Sequence, residues 1–161
     1  EGLREATNGA LTLEQASRGA ALGVSGGFGG AELEGLAANL AAKHATSEEV
    51  KVLQDMVDSD RKIISDPSAL ARSNRRFHKQ IHLASHNRFL IKQLDLVHRS
   101  MALMATTSLA ADGRGAVAVE EHQAIVTAIA KGDSVEASEK LRDHISIAFV
   151  TRLKQDSLKI D

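Results

Sequence analysis

From residue 31 onward the apolar positions recur with a helical period, and no stretch alternates with the two-residue period of a strand over a useful length. The first helix is predicted over about 31–44, where Leu33, Leu36, Ala37, Leu40 and Ala41 make an apolar stripe rich in small alanines. Thr46, followed by Ser47, Glu48 and Glu49, is a capped start with acidic first-turn residues, opening a helix that carries Val50, Leu53 and Val57 inward. Asp66 caps a third helix with Pro67 in its first turn and Leu70, Phe77, Ile81 and Ala84 as its core stripe. A fourth is predicted over about 88–109 with Leu90, Leu94, Val97, Met101 and Met104, ending where 110–115 (AADGRG) breaks the pattern. The fifth runs over about 117–131 and stops at Gly132; Asp133 caps a sixth that reaches about Leu158. The expected fold is therefore all-α: an antiparallel bundle of about six helices around a central ligand or metal cavity.

The first thirty residues differ. Nine of the 12 glycines fall within residues 1–35, and 23–30 (GVSGGFGG) has too little side-chain mass to sustain regular structure, so 1–30 is expected to be a flexible N-terminal segment and linker. Within it, 11–22 could form a short helix or a frayed strand. The 31–161 region is the folded domain.

Composition narrows the chemistry. Twenty Lys and Arg against 21 Asp and Glu leave a formal charge of -1, so no global field draws the chain to nucleic acid or an anionic membrane. With no cysteine there is no disulfide, thiolate ligand or thiol nucleophile, which suits a reducing cytoplasm. Apolar runs such as 145–150 fall far short of the ~20 residues a bilayer requires, so no membrane partner is expected and the localisation expected is cytoplasmic. Four Phe and no Tyr or Trp argue against a base-stacking platform.

Three histidines lift the sequence above an anonymous bundle. His78 lies four residues after Asn74 and three before Ile81; His122 aligns with Ile125 and Ile129; His144 aligns with Leu141 and Ala148. If their helices converge, three imidazoles and one amide oxygen can hold a divalent ion and leave positions open for water or an anion. The alternative is three packed, hydrogen-bonded core histidines. His82 pairs with His78 at i, i+4 but is turned about 40 degrees further toward solvent, which reads as a surface position. His44, His86 and His98 have no evident partner, the first two reading as solvated or capping residues. Arg72, Arg75 and Arg76 span one helical turn and read as a solvated face or interface.

Residues 74–87 (NRRFHKQIHLASHN), 121–133 (EHQAIVTAIAKGD) and 137–145 (ASEKLRDHI) resemble the three signature blocks of the FCD domain, the C-terminal effector-binding domain of FadR-type GntR regulators, and 34–46 (EGLAANLAAKHAT) resembles its opening helix. The resemblance spans about residues 31–150. It implies a helical bundle that binds a small organic acid or related metabolite, often through a metal, and signals to an N-terminal winged-helix DNA-binding domain. The Asp and three His that ligate metal in such domains fall here on Asn74, His78, His122 and His144. Asn74 departs from the pattern: an amide in place of a carboxylate removes a negative charge and leaves the centre more attractive to an anion. A second departure is Gly30 and Ala31, where the family carries an Arg one turn before the Glu matching Glu34. Arg99 is the candidate replacement for that effector-binding cation, against a snorkelling or interface role.

The implied function is ligand sensing rather than catalysis, with a zinc or nickel ion, a small carboxylate effector and a homodimeric state. DNA would be contacted only through a winged-helix domain that is missing or truncated here, since such a domain needs on the order of 60 residues. Residues 3–6 (LREA) and 17–20 (SRGA) faintly echo its ends, so 1–30 is read as its remnant. Two other functions stay open: a metal-dependent hydrolase, for which Asp66 and Glu121 offer no convincing inward base, and a helical interaction module without metal.

Overall fold

A computed structural model describes residues 28–102 and 107–158. Among these there are six α-helices and one 3-10 turn, with no strand: α1 (Phe28–His44), α2 (Ser47–Asp60), α3 (Pro67–Ala84), α4 (Arg88–Ala102), the 3-10 turn Ser108–Ala110, α5 (Arg114–Ala130) and α6 (Ser134–Ser157). The segment 11–22 and the suggested winged-helix remnants lie outside the described residues.

Local chemistry sets most boundaries. Thr46 and Glu49 form a reciprocal capping box at the start of α2, each side chain bonding the other's backbone N–H. Asp66 accepts from the Ala69 amide with Pro67 just inside α3, and Asp133 accepts from the Glu136 amide at the start of α6. Gly132 closes α5 at φ 71°, a left-handed conformation that costs a side-chain-bearing residue. Three boundaries differ from expectation, one being the start of α5, which lies at Arg114 rather than about 117, so the last two residues of the expected 110–115 break are helical. Helix α1 begins at Phe28, so the last three residues of the expected linker are helical, and Gly30 is buried. Helix α4 is described to Ala102, and 107–110, where the helix is expected to end, hold the 3-10 turn capped by Thr107 with Leu109 buried; Met104 lies outside the described residues.

Helix α1 also turns a different face inward from the one its leucines suggest. Ala31, Ala37, Ala38 and Ala41 are buried, whereas Leu36 is 45% exposed. The reason is close approach to α6, which runs antiparallel to it. Asn39 Nδ2 donates to the Ser134 carbonyl at 2.9 Å, and Arg142 reaches Glu32 at 3.3 Å at the other end of the contact. A Cβ at Gly35 would stand 2.5 Å from Arg142 Cγ. Only small side chains fit along this seam, so the leucines are displaced to its flanks.

Helix α3 packs against α1, α2 and α4, while α5 and α6 pack on each other and on α1. Leu53, Leu70, Phe77, Ile81, Leu94, Ile125 and Leu141 fill the space between them. A reciprocal amide pair, Gln54 with Gln123 at 2.8 and 2.9 Å, joins α2 to α5. An open groove of about 520 Å³ lies between these two helices, lined by Val50, Lys51, Gln54, Val126, Thr127 and Lys131 among others and by no histidine.

The Gly132 conformation can be tested directly. Gly132→Ala should destabilise the domain by about 1–2 kcal/mol, read as a lower denaturant midpoint with unchanged helix content, because the strain is local and the nearest atom to the added methyl, the Ala42 carbonyl oxygen, is at an ordinary 3.6 Å.

Candidate metal centre

Helices α3, α5 and α6 bring His78, His122 and His144 together, each no more than 3% exposed, and one ring nitrogen from each lies within 4.8 Å of the others. The rings are themselves packed: His122 stacks on Phe77 with centroids 4.1 Å apart, and His78 stacks on His144 at 5.3 Å.

For His78 and His144, which nitrogen faces inward follows from the hydrogen bond on the far side of the ring. His78 Nδ1–H donates to Glu34 Oε2 at 3.1 Å, and His144 Nδ1–H donates to Glu121 Oε2 at 2.6 Å. A carboxylate can only accept, so in the neutral form of either ring the proton sits on Nδ1 and Nε2 keeps its lone pair. His144 Nε2 stands 3.3 Å from His122 Nε2. That is about the spacing of two nitrogens bound to one tetrahedral ion at ~2.0–2.1 Å. His78 Nε2 and Asn74 Oδ1 are buried with no hydrogen-bond partner. Orphaned buried acceptors are costly, and one ring nitrogen of His78 lies within 4.8 Å of one from each of two further imidazoles, so this donor set fits a divalent ion.

The electrostatics suit the same purpose. Burial pushes the His122 imidazole well below its ordinary value, with charge on His144, His78 and Arg114 acting in the same direction. Burial also lowers His144, against the opposing Glu121 bond. Burial would raise Glu121, yet its bond to and attraction for His144, followed by those of Arg114, bring the net shift below the usual carboxylate value. Arg114, at the first position of α5, donates from Nη2 to Glu121 Oε2 at 2.7 Å, while its Nε and Nη1 are buried without acceptors.

Beside this triad lies a second group. Glu34 of α1 is 1% exposed and accepts three imidazole N–H bonds: His78 on Oε2, and His82 Nε2 at 3.0 Å and His98 Nε2 at 2.6 Å on Oε1. Burial would raise this carboxyl, but the charge of His78 and the bonds from His78, His82 and His98 together hold it well below the usual range.

The FCD domain family model matches residues 31–146. The chain belongs to the FCD domain family. Escherichia coli McbR/YncC is a solved structure with the same fold, at TM-score 0.70 and 16% sequence identity, covering 90% of this chain and 67% of that one. No curated protein matches the sequence. This FCD domain is accordingly a ligand-sensing regulatory domain of transcription regulators.

Within the FCD domain, the four residues expected to share an ion occupy three helices: Asn74 and His78 on α3, His122 on α5 and His144 on α6. Arg99, the expected effector cation, is exposed in the last turn of α4. His82 does not face solvent as expected; it is 1% exposed, because α3 is covered by α1 and α4 on the side that a single core stripe would leave open. His98 has a partner after all in Glu34, and His86 pairs with Glu49 at 3.0 Å. Glu121 turns inward far enough to orient His144, contrary to its reading as a residue without an inward position. The adjacency of Glu121 to His122 was visible in the sequence, but its partner on α6 was not.

Burial of neutral imidazole gives a pH signature in the ion-free domain. The folded-state pKa of His122 is depressed, as are those of His82 and His144, so the unfolded chain takes up protons first as pH falls below about 6.5. With chelator present, the melting temperature should be highest above pH 7 and fall steadily toward pH 5. A midpoint that rises over that interval would contradict the neutral, buried assignment.

Proposed function

We propose that this FCD domain senses a small carboxylate for a GntR/FadR-type transcription regulator, through a divalent ion held by Asn74, His78, His122 and His144. The observation that carries the reading is the convergence of three buried imidazoles from separate helices, two with their outer nitrogens fixed by carboxylates, with the buried and unpartnered Asn74 amide oxygen four residues before His78 on the same helix. Imidazole donors favour zinc or nickel. The bound ion would supply an electrophilic anchor for an anion at its open positions. An amide ligand contributes no charge, so the centre keeps more of the ion's positive potential for an effector carboxylate.

The protein's own cations would add to this attraction. Arg114 is buried beside Glu121 with Nε and Nη1 free to donate, which is the arrangement a second effector oxygen requires. Arg99 is the other candidate clamp, placed on the exposed side of α4. Binding of a dicarboxylate probe such as succinate should lose at least tenfold in affinity in Arg114→Gln if Arg114 clamps it, and in Arg99→Gln if that role belongs to Arg99; unchanged binding in both would remove the arginine contact from the proposal.

A regulatory role is preferred over hydrolysis. Glu121, the nearest carboxylate suited to act as a base, has one oxygen engaged by both His144 and Arg114, which lowers its basicity. DNA recognition is assigned to a winged-helix domain elsewhere in the regulator, and the cytoplasm to its place of action. Among the described residues no helix is long and apolar enough to cross a membrane. A homodimer is supported by Ile147, Val150 and Leu153 of α6, all roughly half exposed, which a second copy of the chain would cover.

Metal analysis of the purified chain after exhaustive dialysis tests the central assignment. One ion per chain should remain and its removal should lower the melting temperature. His122→Ala or His144→Ala should abolish retention, Glu121→Gln should weaken it about 10–100-fold through loss of the His144 orienting bond, and Asn74→Asp should strengthen it. Retention by both histidine variants would return these side chains to a packing role.

A further inference from the structure

The Glu34 group has the composition of a metal site in its own right. Glu34, His82 and His98 each offer one ligand atom within 4.8 Å of the others, and they come from α1, α3 and α4 rather than from the helices that carry His122 and His144. Two histidines and a glutamate form a donor set suited to zinc and its neighbours, with further positions for water. Both imidazoles present Nε2 to the same carboxylate oxygen, at 3.0 and 2.6 Å, and their ring centroids are 5.0 Å apart at 80°. Shifting each ring's proton from Nε2 to Nδ1, which keeps both imidazoles neutral, would leave two nitrogen lone pairs and an anionic oxygen converging on one point. Glu34 and His82 are buried, whereas the His98 side chain is 28% exposed, which gives an ion a route from solvent.

From this geometry we propose that Glu34, His82 and His98 form a second divalent-cation site, distinct from the site on Asn74, His78, His122 and His144. The carboxylate is shared between the two groups: Oε1 serves the second site, and Oε2 accepts the His78 Nδ1 proton that orients a ligand of the first. An ion on Oε1 draws charge away from the His78 bond, and two cations in one interior repel each other. The second ion is therefore the weaker of the two and enters after the first. It stands on residues of its own and does not require the first site to be filled.

Titration of the chelator-stripped chain with zinc, followed by calorimetry and native mass spectrometry, tests this. The unmodified chain should take up two ions with affinities at least tenfold apart. His98→Ala and His98→Gln, at a partly exposed position that should leave folding intact, should each lose the weaker ion and keep the tighter one. His122→Ala should lose the tighter ion and keep the weaker. Circular dichroism confirms that each variant remains helical. Saturation at one ion in the unmodified chain, or two ions still bound by both His98 variants, would overturn the second site while leaving the first intact; an unmodified chain that binds no zinc would overturn both.

Discussion

A fully buried carboxylate is among the most expensive groups a protein interior can hold, and at Glu34 three imidazole N–H groups compensate that cost. That requirement fixes more than the side chain. The three donors come from two turns of α3 and from α4, so satisfying Glu34 sets how α1 lies against both helices. It also sets the His78 tautomer, and with it the direction in which the remaining lone pair faces. Glu121 repeats the device on the other side of the centre, taking its proton from His144 and its compensating charge from Arg114. Two ligands of the proposed ion, His78 and His144, are thus oriented by carboxylates one layer out, and those carboxylates are held by the helix packing.

The packing in turn depends on small residues. Helix α1 can bring Glu34 into the interior because Gly35 and the alanines around it allow α6 to approach closely. The same approach carries His144 on α6 toward His122 and His78. A bulkier seam would separate the two carboxylate layers and pull the triad apart. Stability and site geometry are coupled through that one interface, which is why the least apolar-looking stripe of α1 is the one the fold buries.

Helix ends were legible because they are local. Thr46, Asp66 with Pro67, Gly132 and Asp133 each satisfy or release backbone groups within four residues, and their positions alone located α2, α3, α5 and α6. The triad was half legible: inward periodicity selected His78, His122 and His144, but only the resemblance to the FCD family joined them, since one helix's angle does not reveal its distance from another. Glu34 was noticed as the match to a family position but not as a hub, because its partners lie 44, 48 and 64 residues away. His82 was misjudged for a related reason. A periodic stripe describes a helix packed on one side, and α3 is enclosed by neighbours on more than one.

The claim that most of this rests on is that the buried imidazoles present their lone pairs to an ion. X-ray absorption spectroscopy of the zinc-loaded chain at one equivalent addresses it without reliance on stability. The account predicts a first shell of nitrogen and oxygen at about 2.0–2.1 Å with outer-shell scattering from three imidazole rings, a three-ring signature that His144→Ala should lose. A spectrum of zinc coordinated by oxygen alone, or one unchanged by the His144 substitution, would contradict it.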